Sequence, residues 1–192
     1  MMLSNSWNSQ IKQARIMNEV DWIFQRRSIR KFTDQKLSTQ QITTLLEAAM
    51  AAPSAMNMKP WKFVVVQSTE QLASLRRILP FGKMEAPCAI VVCGDLRSAK
   101  RAVMERFWVQ DCSAATQNIL LAATTLELGS VWCGVHPIGT LEKAIRKVLV
   151  IPDGVIPLNV IYVGYPAEAK DARTQFTEES VFADRFGNPR KL

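Results

Sequence analysis

Arg26-Arg27-Ser28-Ile29-Arg30 gathers charge and hydrogen-bond donors into consecutive positions. In an extended chain Arg26, Ser28 and Arg30 point one way, with Arg27 and Ile29 the other. Two guanidinium forks and a hydroxyl on one face suit a phosphate beside a carbonyl group. Ile29 would anchor the segment in a core. Each charge-assisted bond contributes about 1.5–3 kcal/mol. Arg26, Arg27, Arg30, Lys31 and Lys36 face a single Asp34 here, whereas later charges are mixed in sign. By itself the run reads either as an anion site or as a solvated basic segment after a helix.

Two further stretches carry candidate chemistry. In Ala52-Pro53-Ser54-Ala55-Met56-Asn57-Met58-Lys59-Pro60-Trp61 two prolines fix a loop, and Ser54 and Asn57 offer short polar side chains. The amide of Asn57 both donates and accepts, although an ordinary turn would have the same composition. In Gly129-Ser130-Val131-Trp132-Cys133-Gly134-Val135 the glycines let backbone N–H groups come close to a ligand. Cys133 has the lone His136 three residues on but no visible acid to orient it, so a Cys–His nucleophile is disfavoured. Its alternative role is that of small filler in a buried strand.

The elements that must position these residues are well marked. Asn18 to Gln25 reads as a short helix leading into the basic run. Ser38-Thr39-Gln40-Gln41 has capping-box spacing and opens a helix with Ile42, Leu45, Leu46 and Ala49 as its apolar stripe. Pro53 ends it. Trp61 to Gln67 is a β-branched strand. Ser68 repeats the capping-box spacing ahead of a helix carrying Leu72, Leu75 and Leu79, stopped by Pro80. Pro87 to Cys93 reads as a strand buried on both faces. A long helix runs from about Ser98 or Phe107 to Leu128, with Gly129 as its stop. Ser130 to Val135 is a short strand or turn, Leu141 to Leu149 an amphipathic helix, and Ile156 to Val163 a third buried strand. Thr177 to Phe186 is expected to form a last helix. The mixture gives an α+β or α/β class.

Composition narrows the field. The chain has 192 residues, 48% of them apolar and 21% charged, which fits one domain with a real core. No linker or repeat divides it, so residues 1–192 are expected to form one unit, with 1–17 as an N-terminal extension. The single histidine and the unpaired spacing of Cys88, Cys93, Cys112 and Cys133 argue against a zinc site. The lack of a disulfide pattern favours a reducing compartment. Met1 to Gln13 has no apolar centre like that of a secretory signal, and Cys112 to Leu126 is too polar to span a bilayer. The expectation is therefore a soluble cytoplasmic protein. A formal charge of +7 is compatible with nucleic acid, an acidic membrane surface or an anionic small molecule as partner.

Taken in order, RRSIRKF, APSAMNMKPWKFVVV, APCAIVVCGD, DCSAATQNILLAATTLELGSVWCGVHP and VIYVGYPAEAK resemble the nitroreductase family of flavin mononucleotide (FMN) oxidoreductases. The resemblance covers residues 26 to about 175. It implies an α+β fold with a central, mostly antiparallel sheet flanked by helices, in an intertwined homodimer with FMN at the subunit interface. It further implies that Arg26, Arg27 and Ser28 contact phosphate and ribityl, and that Arg30 reaches the N1–O2 edge of the flavin. By the same resemblance Pro53, Ser54, Ala55, Met56 and Asn57 come from the other subunit, and the backbone of Trp132, Cys133 and Gly134 faces N5 and O4. Lys170 and Arg173 are the nearest matches to late phosphate ligands.

The implied activity is hydride transfer from NAD(P)H through flavin N5 to a nitroaromatic, quinone or flavin in ping-pong fashion, with no side-chain acid or base. Reductive dehalogenation or flavin cleavage on the same fold is one alternative, and a basic nucleic-acid-binding module is another. Three features depart from the family pattern. Lys59 stands where many members have Gln, the stretch from Ser180 to Phe186 lacks the usual late Arg-Val-His and Trp, and Met1 to Met17 has no counterpart.

Overall fold

The computed structural model describes residues 20–97 and 101–190. The N-terminal extension therefore lies outside the described residues, as do the first two residues of the helix expected from Asn18. Helix α1 covers residues 20–25 of the described chain. It is followed by α2 (Thr39–Met50), β1 (Trp61–Val66), α3 (Thr69–Ile78), β2 (Cys88–Asp95), α4 (Arg101–Thr125), β3 (Gly129–Gly134), α5 (Gly139–Leu149) and β4 (Val155–Gly164). The strands form one sheet in the order β1-β2-β4-β3, antiparallel at every pairing. This is an α+β architecture.

β2 and β4 are central, and their apolar runs explain it. Cys88–Cys93 and Val160–Val163 are fully buried because helices cover both sides of the sheet. On one side Leu45 and Ala49 of α2 and Cys112, Ala115, Ile119 and Ala123 of α4 pack with Ile90, Val92 and Ile161. On the other, Leu72 and Leu75 of α3 and Ile145 of α5 pack with Val91, Val131, Cys133 and Tyr162. The small residues of α4 let it approach α2 closely, and Asn118 Nδ2 donates to Ala48 O at 2.9 Å. Near Pro157, which has no N–H for the ladder, the β2–β4 register shifts between Val92 and Cys93.

The capping box of α2 forms as its spacing requires. Gln41 N–H donates to Ser38 Oγ at 3.2 Å, and Ser38 N–H to Gln41 Oε1 at 2.9 Å. Three expectations need correction. Ser68 is the N-cap of α3 but makes no side-chain cap bond. Helix α4 ends earlier than Leu128, in a Schellman turn with Glu127 rather than glycine in the left-handed region (φ 57°). Leu128 N–H donates to Ala123 O at 2.8 Å and Glu127 N–H to Thr124 O at 3.1 Å. Gly129 is instead the first residue of β3.

The third correction concerns the helix expected from Thr177 to Phe186, which reduces to a 3₁₀ turn at Glu178–Ser180. Residues 177–180 are exposed, so no apolar stripe finds a surface to pack on. Asp184 and Gly187 take positive φ, and Phe182 pairs with Pro189 in a turned-back arm. Among the described residues no helix is long and apolar enough to cross a membrane.

Candidate functional site

The basic run forms an extended segment laid against the start of β3. Ile29 N–H donates to Ser130 O at 3.0 Å, and Ser28 bridges Ser130 in parallel. Ile29 is buried as the alternation requires, while Arg30 is exposed. Gly129 makes this approach possible: a Cβ there would lie 2.7 Å from Ile29 Cγ2. Beyond the run, Thr33 N–H donates to Tyr165 O at 2.9 Å, and Ala167 N–H to Lys31 O at 2.9 Å. The chain leaving β4 therefore returns alongside the run.

That return brings Lys170 and Arg173 to the site, although sequence spacing linked them only loosely. Lys170 Nζ donates to Ser28 O at 2.6 Å and lies 3.2 Å from Glu168 Oε1. Arg173 joins through its backbone, its N–H donating to Phe24 O at 3.1 Å. Arg27 Nη1 donates to Asp171 O, which leaves most of its five donors available. Arg27, Glu168 and Lys170 share the wall of a cleft of about 180 Å³. Arg26 is half-buried, its N–H donating to Trp22 O at the end of α1 at 3.2 Å.

Glu168 was not singled out from sequence, and nothing in GYPAEAK marks it. Its Oε1 accepts the Arg30 N–H at 2.6 Å and the Lys31 N–H at 3.3 Å. The Arg30 bond, helped by Lys170, holds this carboxyl below its ordinary range against the opposing effect of burial. A depressed folded-state value means that this stabilisation is present above the unfolded value and is lost as pH falls through the folded one. Acid unfolding of Glu168→Gln is therefore expected to be less pH-dependent than that of the wild type below about pH 4. Superimposable acid profiles would show that Glu168 does not link the two segments.

The third segment lies on β3. Val131, Cys133 and Val135 point into the core, whereas Trp132 and Gly134 are exposed. Beside Gly134 a Cβ would meet nothing within 4 Å, so the backbone is open to a flat ligand. Burial pushes the Cys133 thiol up to about 11, and the Arg30 charge works against that rise. Arg30 and Cys133 thus share one electrostatic neighbourhood. A nucleophilic Cys133 finds no support, since a protonated thiol is a poor nucleophile. His136, the lone histidine, pairs through Nδ1 with Glu142 Oε1 at 2.8 Å.

Loop 53–57 is built elsewhere, against α4. Ala55 N–H donates to Oδ1 of the buried Asp111 at 2.9 Å, and Lys59 N–H to Ser54 Oγ at 2.9 Å. Asn57 N–H closes the turn on Ser54 O at 2.9 Å. Met56 and Asn57 adopt left-handed backbone (φ 50° and 56°), and both side chains are exposed, Met56 at 75%. Within one chain no described hydrogen bond joins Pro53, Ser54, Ala55, Met56 or Asn57 to segment 26–30. Asp111, which sequence reasoning missed, is the residue that holds this loop.

The donors present fit a flavin nucleotide. Guanidinium and ammonium groups suit a phosphate, and exposed strand backbone beside Gly134 suits the polar edge of a flat ring. Among the described residues no group of three or more His, Cys, Asp or Glu side chains could hold a metal ion.

Comparison with known proteins agrees with this geometry. The Nitroreductase family profile matches residues 23–82 and 77–165, almost the whole span that contains the site. The chain belongs to the nitroreductase family. An Archaeoglobus fulgidus nitroreductase relative, provisionally named NADH dehydrogenase/NAD(P)H nitroreductase, is 47% identical over 169 residues, covering 85% of this chain and 96% of its own. A crystal structure from Parabacteroides distasonis with the same provisional name has TM-score 0.82 and 37% identity, covering 88% of this chain and 99% of its own. An FMN-dependent nitroreductase from Clostridium difficile has TM-score 0.78 and 30% identity, covering 87% and 99%. The α+β architecture with its antiparallel sheet is that of the nitroreductase neighbours it superposes on.

Proposed function

We propose that this chain is an FMN-dependent NAD(P)H oxidoreductase, acting as a homodimer on oxidised small molecules such as nitroaromatics, quinones or flavins. The observation that carries the reading is the meeting of segment 26–30, the exposed edge of β3 and Lys170 on one side of the sheet. Bound FMN would supply two-electron redox chemistry, accepting hydride from NAD(P)H and passing reducing equivalents to the acceptor by a ping-pong route.

The protein's share is positioning and electrostatics. Arg26, Arg27 and Ser28 would hold the phosphate end of FMN, with Lys170 and the Arg173 region as support. Arg30 would offset the negative charge that gathers on the flavin on reduction, a preorganised role for its fixed cation. The backbone of Trp132, Cys133 and Gly134 would meet the ring edge, and the open space at Gly134 is compatible with it. Loop 53–57 is exposed and makes no described hydrogen bond to segment 26–30, which supports a role in which, in a homodimer, it closes the partner's site. The small cleft beside Arg27 fits a pocket that is only half-built in one chain.

Purified protein is expected to be yellow and to release FMN on denaturation. Arg27→Ala and Asn57→Ala should each weaken FMN binding by about tenfold or more, with cooperative unfolding retained. Colourless protein that takes up no added FMN would overturn the reading. Rapid reoxidation of the reduced protein by quinone or nitro compounds in stopped flow separates this activity from dehalogenation or flavin cleavage.

A further inference from the structure

Immediately after loop 53–57 the chain lines a cleft of about 490 Å³. Its walls include Lys59, Lys62, Asp95 and Arg97, with Met58 and Met104 as apolar lining. Asp95 is already engaged: Arg97 Nε and Nη2 donate to its two carboxylate oxygens at 2.8 and 2.7 Å. Among the described residues neither Lys59 nor Lys62 makes a side-chain hydrogen bond or close ion pair, and Lys62 acts on Asp95 only weakly through its charge. Three cations and one carboxylate leave a formal excess of two positive charges in the cleft. Like charges gathered in a concavity raise the local concentration of anions.

The shape of the site is fixed as well as its charge. Lys59 is tied to loop 53–57 through its N–H bond to Ser54 Oγ, and its backbone is left-handed (φ 49°). Lys62 stands on β1, a rigid strand, with its side chain exposed. Both lysines are therefore carried into the lining of the cleft by backbone of defined conformation. The thioethers of Met58 and Met104 supply adaptable apolar surface suited to an aromatic ring. A dianion next to a flat ring is the chemistry of a nucleotide monophosphate, whose phosphate carries about −1.5 to −2 at neutral pH.

We infer that this cleft seats the phosphate monoester of a reaction partner, either the 2′-phosphate of NADPH or the phosphate of a free flavin nucleotide. The inference rests on the reading above, in which loop 53–57 borders the flavin. Lys59 and Lys62 then set a preference for phosphorylated partners over their phosphate-free counterparts, without touching the reacting atoms.

The test uses the flavin-loaded enzyme and Lys59→Gln/Lys62→Gln, two changes at exposed positions. With an uncharged quinone as acceptor, KM for NADPH is expected to rise about tenfold while KM for NADH changes less than about twofold. A second arm keeps NADH as donor and compares free FMN with riboflavin as acceptor. A rise confined to FMN would assign the cleft to the flavin phosphate, and one confined to NADPH would assign it to the coenzyme. Lys59→Arg/Lys62→Arg should retain the preference. Calorimetric titration with 2′-AMP, with FMN and with adenosine gives a readout without turnover, and the double Gln variant should weaken only the phosphorylated ligands. Equal effects on phosphorylated and phosphate-free partners, or none in any arm, would overturn the inference. Flavin content is read separately by absorbance. Colourless wild-type protein would sink the proposed function, while selective loss of 2′-AMP binding would still support the cleft.

Discussion

Gly129→Val is expected to destabilise the protein by about 1–3 kcal/mol and to strip it of bound flavin. The cause is local. A Cβ at this position would stand 2.7 Å from Ile29 Cγ2 and 2.9 Å from Ile29 Cβ, both far inside ordinary contact. Ile29 cannot swing away, because its own N–H is bonded to Ser130 O. The segment must therefore lift from β3, taking Ser28 and the flanking arginines with it. Gly134→Ala is the informative control, since open space surrounds that position. It should keep the urea midpoint near the wild-type value and still lower FMN content, because a methyl group would stand on the backbone face proposed to meet the ring. Wild-type flavin content in Gly129→Val would refute the coupling between strand docking and cofactor capture.

Asp111→Ala carries the second large effect. Its buried carboxylate holds the Ala55 N–H, and truncation leaves that donor without a partner at a cost of about 1–3 kcal/mol. Loop 53–57 should then lose its fixed shape, and FMN affinity should fall by about tenfold or more. Asp111→Asn retains an acceptor oxygen at the same place and should restore most of both properties. Paired measurement of thermal unfolding and flavin affinity checks this. If Asp111→Ala binds FMN as tightly as the wild type, the loop does not belong to a flavin site.

The parts of this fold that were legible in sequence are those set by local chemistry. Ser38 and Gln41 announce a capping box because both partners lie within one turn. The runs around Ile90 and Ile161 announce buried strands because no charge interrupts them. Ile29 announces an inward anchor by simple alternation. What stayed hidden depends on contacts between distant segments. Gly129 resembles a helix stop in sequence, but the approach of Ile29 is what requires it, and Glu127 takes the left-handed turn instead. Glu168 and Asp111 look like ordinary surface acids until the chain brings Arg30 and Ala55 to them. The tail near Glu178 has helical composition but no surface to pack on.

The candidate site divides in the same way. Segment 26–30 was recognisable by composition, and Lys170 joined it only through the return of the chain after β4. Loop 53–57 stays apart from both in a single chain. Its residues were readable as a loop, but no local rule says which distant segment a loop will meet.

The four buried cysteines have a consequence for chemical durability. Burial pushes Cys88 and Cys93 up to about 12 and Cys133 up to about 11, and it raises Cys112 as well. The raised Cys133 value keeps this thiol protonated at neutral pH, the form that is a poor nucleophile. Electrophiles such as quinones add to exposed thiolates, the nucleophilic form of cysteine. A protein whose thiols are all buried and held protonated can use them as packing without offering targets to electrophiles.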